Sequence, residues 1–393
     1  MNYGYKQRPL LAASHDFGVT WTYPPEINVT LPTEINIGAF AGKPSCHGAT
    51  CIAVGSYIAD NQFYSLLVVT NDSGATWFTP RSGNTRSSLL SDSVCLDKTT
   101  CMAVGYRVLD DQPLLLQTFD AGVTWHNASL PAPFEHEDFA GISCSDTVCI
   151  LSGKYENKNK SWPLLAVSQD KGTTWRYPSE INQAALVPYL TQGTLDGGST
   201  CSRDVCVATG SYYDKTTERP LLVFSNDRGT TWSVPPELIN EQSTFPIKGQ
   251  FHDVSCDGMT CVAVGEYFVE EASYPLLAVT NDAGISWRYK KETSLVDLPT
   301  SFEGGALQGV HCHDEFCIAS GSYESRELQD LITLPLLVIS RDNGITWSYS
   351  SSVLSKEVLP YSFNGGAFYG IGQGASMLQN SSAQVIKPPK RLI

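Results

Sequence analysis

An eight-residue pattern recurs seven times along the chain and constrains its fold more than any other feature. The first copy, residues 14–21, reads hydroxyl, any residue, Asp, any residue, Gly, any residue, hydroxyl, Trp. The other six copies keep every defined position and span residues 70–77, 118–125, 168–175, 225–232, 280–287 and 340–347. Seven intact copies indicate a repeat protein, so the chain is interpreted repeat by repeat.

The period of the repeat predicts the size of its unit. Successive aspartates of the pattern are 48 to 60 residues apart and lie at Asp16, Asp72, Asp120, Asp170, Asp227, Asp282 and Asp342. Each repeat runs through a strand A that leads into a close cysteine pair, an apolar strand B, a polar loop, an apolar strand C, the octapeptide and a strand D opened by its Trp. This length and order are typical of a four-stranded propeller blade.

The middle strands predict how the units pack. Strands B and C, such as residues 261–265 and 275–280, are apolar almost without alternation, which indicates burial on both faces. Helical periodicity is absent, and Gly and Pro interrupt every repeat. The sequence therefore predicts an all-β fold, a seven-bladed β-propeller of four-stranded antiparallel blades, in which each blade is covered by two neighbours.

The two ends of the chain predict how the ring closes. Residues 4–11 match strands B and C of a repeat, with no strand A before them. Residues 362–371 match residues 301–310, a strand A, but no cysteine pair or octapeptide follows. We expect the N- and C-terminal segments to share one blade and remove the open edges. The predicted domains are a single propeller, 1–378, and a polar C-terminal tail, 379–393.

The twelve cysteines fall into six close pairs, which predict local disulfides. The pairs are Cys46-Cys51, Cys95-Cys101, Cys144-Cys149, Cys201-Cys206, Cys256-Cys261 and Cys312-Cys317. Zinc sites would need shorter C-x2-C knuckles, two per ion, so disulfides are favoured over metal ligation or free thiols. Persistent disulfides imply a secreted, periplasmic or cell-surface protein. No cofactor and no metal is expected.

Charge and hydropathy limit the classes of molecule that this chain is expected to bind. The chain has 26 basic and 40 acidic residues, a net charge of -14, which disfavours nucleic acid and anionic membranes as partners. No apolar run approaches the ~20 residues that span a bilayer. The first fifteen residues lack the pattern of a signal peptide. The expected partner is a protein or glycan ligand, and the expected state is a monomer.

The octapeptide resembles the Asp-box, or BNR repeat, of sialidases and other propeller families, over nearly the whole chain. The resemblance implies that each box is a turn joining strands C and D. The chemistry agrees, since the Asp accepts hydrogen bonds from turn amides and Gly permits positive φ. A structural role is favoured over ligand binding because seven symmetric copies cannot address one site. The variable loops on the opposite face are then the expected place for function.

Seven polar residues near the start of strand A are candidate ligand-binding residues. Asp92 and Asp253 each lie three positions before the first cysteine of a pair, and Asp196 lies near the same level. An acidic cluster near the axis, with nearby histidines, could hold a cation or bind a sugar. The alternative is that these side chains solvate a water-filled channel. The full set is Asp92, His136, Asp138, Asp196, His252, Asp253 and Glu303.

The sialidase resemblance also implies a catalytic set, which the sequence does not show. Sialidases use three arginines, an Arg-Ile-Pro motif, a Tyr–Glu pair and an Asp, but the nearest string here is Arg8-Pro-Leu10 in a strand C. The favoured function is a binding or scaffold module, and the alternative is a glycoside hydrolase with paired carboxylates. A third possibility resembles the propeller factors that assist assembly of membrane complexes, although those rely on a basic patch that this acidic chain does not show.

Overall fold

The structure is a computed structural model that describes most of the repeat region. It covers residues 10–14, 37–80, 82–83, 85–131, 133–182, 186–187, 190–239, 248–290, 295–327, 330–349 and 376–380. The first octapeptide after Ser14, with Asp16, lies outside the described residues. The same holds for residues 4–9, for the expected closing strand A at 362–371, and for the tail after Asn380.

The described chain is almost entirely β-structure, arranged as six sheets and one two-stranded ladder. We number the sheets along the chain. The ladder pairs β1 (Leu10–Ser14) with β25 (Ser376–Asn380). Sheet 1 contains β2 (Ile37–His47), β3 (Thr50–Ala59) and β4 (Gln62–Thr70). Sheet 2 contains β5 (Ser88–Cys95), β6 (Cys101–Arg107), β7 (Gln112–Thr118) and β8 (His126–Asn127). Sheet 3 contains β9 (Glu137–Ser145), β10 (Val148–Asn157) and β11 (Lys160–Ser168).

The other three sheets are longer or less regular. Sheet 4 contains β12 (Leu190–Thr194), β13 (Ser199–Ser202), β14 (Val205–Asp214) and β15 (Thr217–Ser225), and the one-turn helix α1 (Pro236–Ile239) follows it. Sheet 5 contains β16 (Gly249–Asp257), β17 (Thr260–Val269), β18 (Ala272–Thr280) and β19 (Arg288–Lys290). Sheet 6 contains β20 (Leu295–Val296), β21 (Phe302–His313), β22 (Phe316–Glu327), β23 (Asp330–Ser340) and β24 (Trp347–Tyr349).

Each sheet follows the predicted antiparallel order of strands A, B, C and D. Strand D is short in sheets 2, 5 and 6, and single bridges such as Val69 with Phe78 and Val167 with Arg176 take its place in sheets 1, 3 and 4. Sheet 6 has one extra parallel strand, β20, beside β24. The predicted all-β architecture of four-stranded antiparallel units is therefore confirmed.

The hydrophobic cores lie between the sheets. Five of the six core clusters combine side chains from two consecutive sheets. Within β10, Ile150 packs against sheet 4 and the next residue, Leu151, packs against sheet 2. Neighbouring residues of a middle strand thus face different cores. This explains why strands B and C are apolar without alternation.

The six disulfides each close the hairpin between strands A and B. The paired cysteines lie directly opposite each other, with Cα atoms 4.0–4.1 Å apart. No cysteine of the chain is free. Each disulfide therefore rigidifies one hairpin rather than joining two sheets.

The six described octapeptides share one hydrogen-bonded turn, shown here for residues 118–125. Asp120 accepts hydrogen bonds from the Thr124 amide at 2.9 Å and from the hydroxyls of Thr124 and Thr118 at 2.6 and 2.8 Å. These hydrogen bonds lower the pKa of Asp120 to about 2, and the bond from the Thr124 hydroxyl has the largest effect. The Trp125 indole donates to the Gly122 carbonyl at 3.0 Å. The carboxylate is thus engaged by its own turn.

The boxes and the disulfide hairpins lie on the same face of the molecule. The Ala121 amide, inside a box, donates to the Thr99 carbonyl in the A–B hairpin of the same sheet at 3.0 Å. Gly122 has a φ of +80°, and a Cβ there would lie 2.7 Å from a methyl of Val69 in the preceding sheet. We call this side the box face. The B–C turns and the connections from strand D to the next strand A form the opposite side, the loop face.

Candidate ligand site on the loop face

The inner strands of consecutive sheets are joined by side chains. The inner edge of a strand A has no strand partner, so its amides need other acceptors. Hydroxyls one residue before a cysteine supply them: Ser45 accepts from the Cys95 amide at 2.9 Å, and Ser255 accepts from the Cys312 amide at 3.0 Å. Each acceptor belongs to the sheet before its donor.

Asp92 and Asp253 belong to the same joint between sheets. Asp92 accepts hydrogen bonds from the amides of Lys43 at 3.2 Å and Ile142 at 3.0 Å, in the sheets on either side. Asp253 accepts from the Val310 amide of sheet 6 at 2.7 Å. A β-bulge precedes each aspartate, and bulges redirect side chains in this way. Both carboxylates therefore accept hydrogen bonds from backbone amides within the protein.

Lys43 reaches across the centre of the molecule to Asp253. Its Nζ lies 2.6 Å from Asp253 Oδ1 and donates to the carbonyls of Val254 at 3.2 Å and Val310 at 3.3 Å. An ammonium has three N–H donors, and three oxygens receive them. We call Lys43, Asp253, Val254 and Val310 the axial lock. The sequence suggested that the axial acidic residues could hold a cation. At Asp253, a lysine side chain of the protein itself supplies the positive charge.

Sequence reasoning missed Lys43, although one pattern could have found it. Lys43 lies three residues before Cys46, the position that Asp92 and Asp253 hold in their own repeats.

Burial raises the pKa of Asp92 to about 6, although hydrogen bonds from the Ile142, Ser93 and Lys43 amides oppose the rise. Burial also raises the pKa of Asp253, and the charge of Lys43 opposes it.

Three other predicted residues lie in separate contacts. His252 Nδ1 lies 3.1 Å from the Leu307 carbonyl of sheet 6, and its Nε2 lies 3.5 Å from Glu266 Oε1. His136 Nδ1 lies 3.5 Å from Asp111, and Glu303 lies 3.1 Å from the Arg326 guanidinium.

The last two predicted residues, Asp138 and Asp196, come together between sheets 3 and 4. Asp138 is the second residue of β9 and pairs with Lys154 in β10. Asp196 lies where strand A of sheet 4 breaks into β12 and β13. At this break the Leu195 amide donates to the Gly153 carbonyl of sheet 3 at 2.9 Å. We call the following set the cleft: Asp138, Ser152, Lys154 and Glu156 of sheet 3, with Asp196 and Ser199 of sheet 4.

The cleft is polar and short of hydrogen-bond donors. Burial raises the pKa of Asp138, and the charges of Asp196 and Glu156 raise it further against the opposing charge of Lys154. Asp138 accepts no hydrogen bond from the residues that the structure describes, whereas Asp196 accepts one from the Thr194 hydroxyl at 2.6 Å. The Oγ atoms of Ser152 and Ser199 are buried and have no partner within the described part of the chain.

A Tyr–Glu pair is present, but it is part of the packing. Tyr177 donates to Glu137 at 2.9 Å, and Glu137, which is 1% exposed, also accepts from the Phe134 amide at 3.0 Å. Burial, and then the charge of Glu137, raise the pKa of Tyr177, which keeps the phenol protonated. The pair ties the connection after sheet 3 to β9, and its described hydrogen-bond partners include no arginine.

One group of side chains in the described ranges has donor atoms close enough for a single metal ion. These are Asp257, His313 and Asp314 on the box face, with ligand atoms within 4.8 Å of one another. None of the seven predicted residues belongs to this group.

The chain has a match to a repeat family and resembles several solved structures. Residues 338–349 match the family described as BNR/Asp-box repeat. No curated protein sequence matches the chain. A GH74 xyloglucanase from Xanthomonas campestris aligns with a TM-score of 0.54 and 15% identity, covering 87% of this chain and 51% of that one. The chain thus spans about half the length of the xyloglucanase.

Two further structures align with lower scores. A Hadza microbial sialidase aligns with a TM-score of 0.41 and 13% identity, covering 73% of this chain and 65% of that one. A structure of YCF48 bound to D1 peptide aligns with a TM-score of 0.38 and 15% identity, covering 77% and 94%.

The consecutive four-stranded sheets, the shared box turn and the xyloglucanase alignment define a β-propeller built from Asp-box repeats. The family match covers residues 338–349 and thus identifies the last octapeptide, residues 340–347, as a BNR/Asp-box repeat.

Proposed function

We propose that this chain is a binding or scaffold module that holds its ligand, a protein or a glycan, at the cleft on the loop face. One observation carries the proposal: strand A of sheet 4 is interrupted between β12 and β13, and acceptors beside this break have no donor among the described residues. The predicted acids elsewhere, Asp92 and Asp253, are already bonded within the protein. Unsatisfied acceptors at a break in a repeat are suited to an external ligand.

We further propose a closed ring of seven blades in which the chain ends complete the seventh. Support comes from the ladder between β1 and β25, in which Ser14 pairs with Ser376. Ser14 opens its octapeptide as Ser340 does, and Ser340 pairs with Cys317 at the start of a strand B. By this correspondence β25 takes the place of strand B and β1 that of strand C, whereas residues 4–11 were expected to supply both strands.

The proposed location is outside the cell, in the periplasm or at the cell surface. Six disulfides imply an oxidising compartment. No helix among the described residues is long and apolar enough to cross a membrane.

A glycoside hydrolase is the second candidate, and one observation favours it. Asp138 has a raised pKa, whereas Asp196 is exposed, and a pair of carboxylates in unlike environments is the arrangement of a general acid and its partner. The xyloglucanase and the sialidase among the similar structures act on glycans by their names. The Arg-Ile-Pro motif of sialidases does not occur in the sequence, and the sequence shows no recognisable arginine triad.

A glycan array and a panel of chromogenic glycosides test the proposal together. We expect a ligand that binds the wild type and the Asp146→Asn variant equally. The Asp138→Asn variant should not bind this ligand. Asp146 is the matched control because it is exposed on the box face, and its φ of +55° suits Asn. Turnover of a glycoside that Asp138→Asn abolishes would establish the hydrolase instead. If Asp146→Asn abolished binding of the ligand, the binding site would lie on the box face, and the proposal would be wrong.

A further inference from the structure

Three apolar side chains of sheet 1 share one face of the sheet at its loop-face end. Ile37 lies opposite Ile58, and Ile58 lies opposite Phe63, so all three point to the same side. Along β3, Ile52 and Val54 on this side belong to the core shared with sheet 2. Ile37 and Phe63 lie beyond that core and are 47% and 44% exposed. This face of sheet 1 is therefore covered near its middle and open to solvent at the loop face.

The turn between β6 and β7 continues this apolar surface onto sheet 2. The Ser87 amide donates to the Phe63 carbonyl at 2.7 Å, and the Val108 amide donates to the Ser87 carbonyl at 2.8 Å. Val108 is 36% exposed, and the next residue, Leu109, is 83% exposed. Adjoining exposed apolar side chains, unlike isolated ones, are typical of a contact surface. We call the following set the apolar rim: Ile37, Ile58, Phe63, Val108 and Leu109.

The turns beside the apolar rim are acidic. Asp60 lies in the turn between β3 and β4, and Asp110 and Asp111 follow Leu109. Asp110 lies 3.0 Å from the Arg107 guanidinium, whereas Asp60 is exposed and forms no ion pair within the described ranges. A segment that covers the rim should therefore combine aliphatic side chains with positive charge.

Strand β25 brings the chain to the sheet that carries most of the apolar rim. Ser376 lies opposite Ser14, the first residue of an octapeptide, and the octapeptides lie on the box face. Asn380, at the other end of β25, therefore lies toward the loop face. β25 also contacts β2, which begins at Ile37. The residues after Asn380 thus leave β25 on the face where the rim is exposed.

The sequence that follows Asn380 has the composition that the rim requires. Residues 381–393 contain three basic residues and no acidic one. Their large apolar residues form two pairs, Val385-Ile386 and Leu392-Ile393. Thirteen residues span up to about 43 Å at about 3.3 Å each, whereas packed sheets are about 10 Å apart. The segment is therefore long enough to reach both sheets of the rim.

We propose that residues 381–393 bind the apolar rim of their own chain. The two apolar pairs would cover Phe63 and Leu109, and the basic residues would lie near Asp60 and Asp110. Burial of the apolar side chains supplies the free energy of binding, and the opposite charges orient the segment. This interaction is independent of the cleft, which lies between sheets 3 and 4.

A photocrosslinker in the full chain tests this proposal. p-Benzoylphenylalanine takes the place of Leu392, and crosslinks within the monomer are mapped by mass spectrometry. We expect crosslinks to the turns that carry Asp60 and Leu109. The double variant Phe63→Ser with Leu109→Ser should lower their yield about fivefold or more, because it removes apolar surface from the rim. Ile285→Ser should leave the yield unchanged and is the matched control, since Ile285 is an exposed apolar residue of a box.

Hydrogen exchange supplies a second measurement, which leaves Leu392 in place. The wild type is compared with a full chain in which the three basic residues of the segment are reversed in charge: Lys387→Glu, Lys390→Glu and Arg391→Glu. Peptides that contain the turn after Val108 should exchange about threefold or more slowly in the wild type, because the bound segment protects them.

Three results would overturn the proposal: crosslinks confined to other parts of the chain, a yield that the double variant does not change, or equal exchange in the wild type and the charge-reversed chain. Crosslinked dimers in place of monomers would show that the segment of a second copy occupies the rim, and binding within one chain would be wrong. Circular dichroism and thermal unfolding of each variant identify any loss that comes from misfolding.

Discussion

The axial lock and the cleft are two sets of oxygen acceptors on inner strands, and they differ in whether the chain supplies the cation. In the lock, Lys43 of sheet 1 fills the space between Asp253 and two carbonyls. In the cleft, Lys154 opposes the charge of Asp138 without a hydrogen bond to it in the described structure. The difference shows that an acidic residue of strand A can be paired with a lysine in one sheet, whereas in another it accepts no hydrogen bond from the described residues.

The largest effect should come from removing the cation of the lock. Lys43→Met leaves Asp253, whose side chain is 5% exposed, as a buried charge without its partner. Loss of one partner of a buried pair costs about 3–5 kcal/mol of unfolding free energy. Lys154→Met in the cleft is the matched change and should cost less than about 1 kcal/mol. Equilibrium unfolding in urea measures both.

A double variant sharpens this test. In Lys43→Met with Asp253→Asn the buried charge is absent, so part of the lost stability should return. Equal losses for Lys43→Met and Lys154→Met would show that the two regions do not differ in the way described.

A smaller effect should separate bonded from unbonded serines on the inner strands. Ser255→Ala leaves the Cys312 amide without its acceptor and should cost about 1–2 kcal/mol. Ser199→Ala removes a hydroxyl that has no partner among the described residues, so its cost should stay within about 0.5 kcal/mol of zero. The two variants have the same change in side chain. A cost for Ser199→Ala as large as that for Ser255→Ala would mean that the Ser199 hydroxyl is already bonded.

The smallest effect should be a difference in pH dependence between the cleft and a box. The folded pKa of Asp138 is raised, so its contribution to stability is present below the unfolded pKa and is lost as pH rises through the folded pKa. The pKa of Asp120 is lowered to about 2, so its contribution is present above the unfolded pKa and is lost as pH falls through about 2. The stability of the wild type relative to the Asp138→Asn variant should therefore fall as pH rises. The stability of the wild type relative to the Asp120→Asn variant should increase as pH rises.

Unfolding free energies of the three proteins, measured across the acidic range, check these signs. A stability difference between the wild type and Asp138→Asn that does not change with pH would mean that the cleft carboxylate is solvated like an ordinary aspartate.

Much of the fold follows from the repeat because its determinants are local. Asp120 bonds to residues two and four positions away, and each disulfide closes a hairpin over five or six positions. The apolar runs of strands B and C are also local, and they predicted burial on both faces. Regularity within one repeat is sufficient to infer such features.

The candidate site could be predicted only in part. Asp138 and Asp196 were identified as candidates from their place before or within strand A, but their proximity depends on two sheets and on the break at Leu195. Lys43 was missed because its acceptors at Val254 and Val310 are 211 and 267 positions away. No periodicity connects residues that are so distant in sequence.

The sequence by itself determined the unit of this protein: the box turn, the stapled hairpin and the doubly buried middle strands. These features depend on hydrogen bonds, disulfides and apolar patterns within some sixty residues or fewer. Only the tertiary structure decided which of the predicted acids are hydrogen-bonded or paired with a cation within the described part of the protein. The physical reason is that the inner strands of different sheets meet near a common centre. There, one lysine from a distant sheet pairs with Asp253, whereas among the described residues no lysine donates a hydrogen bond to Asp138.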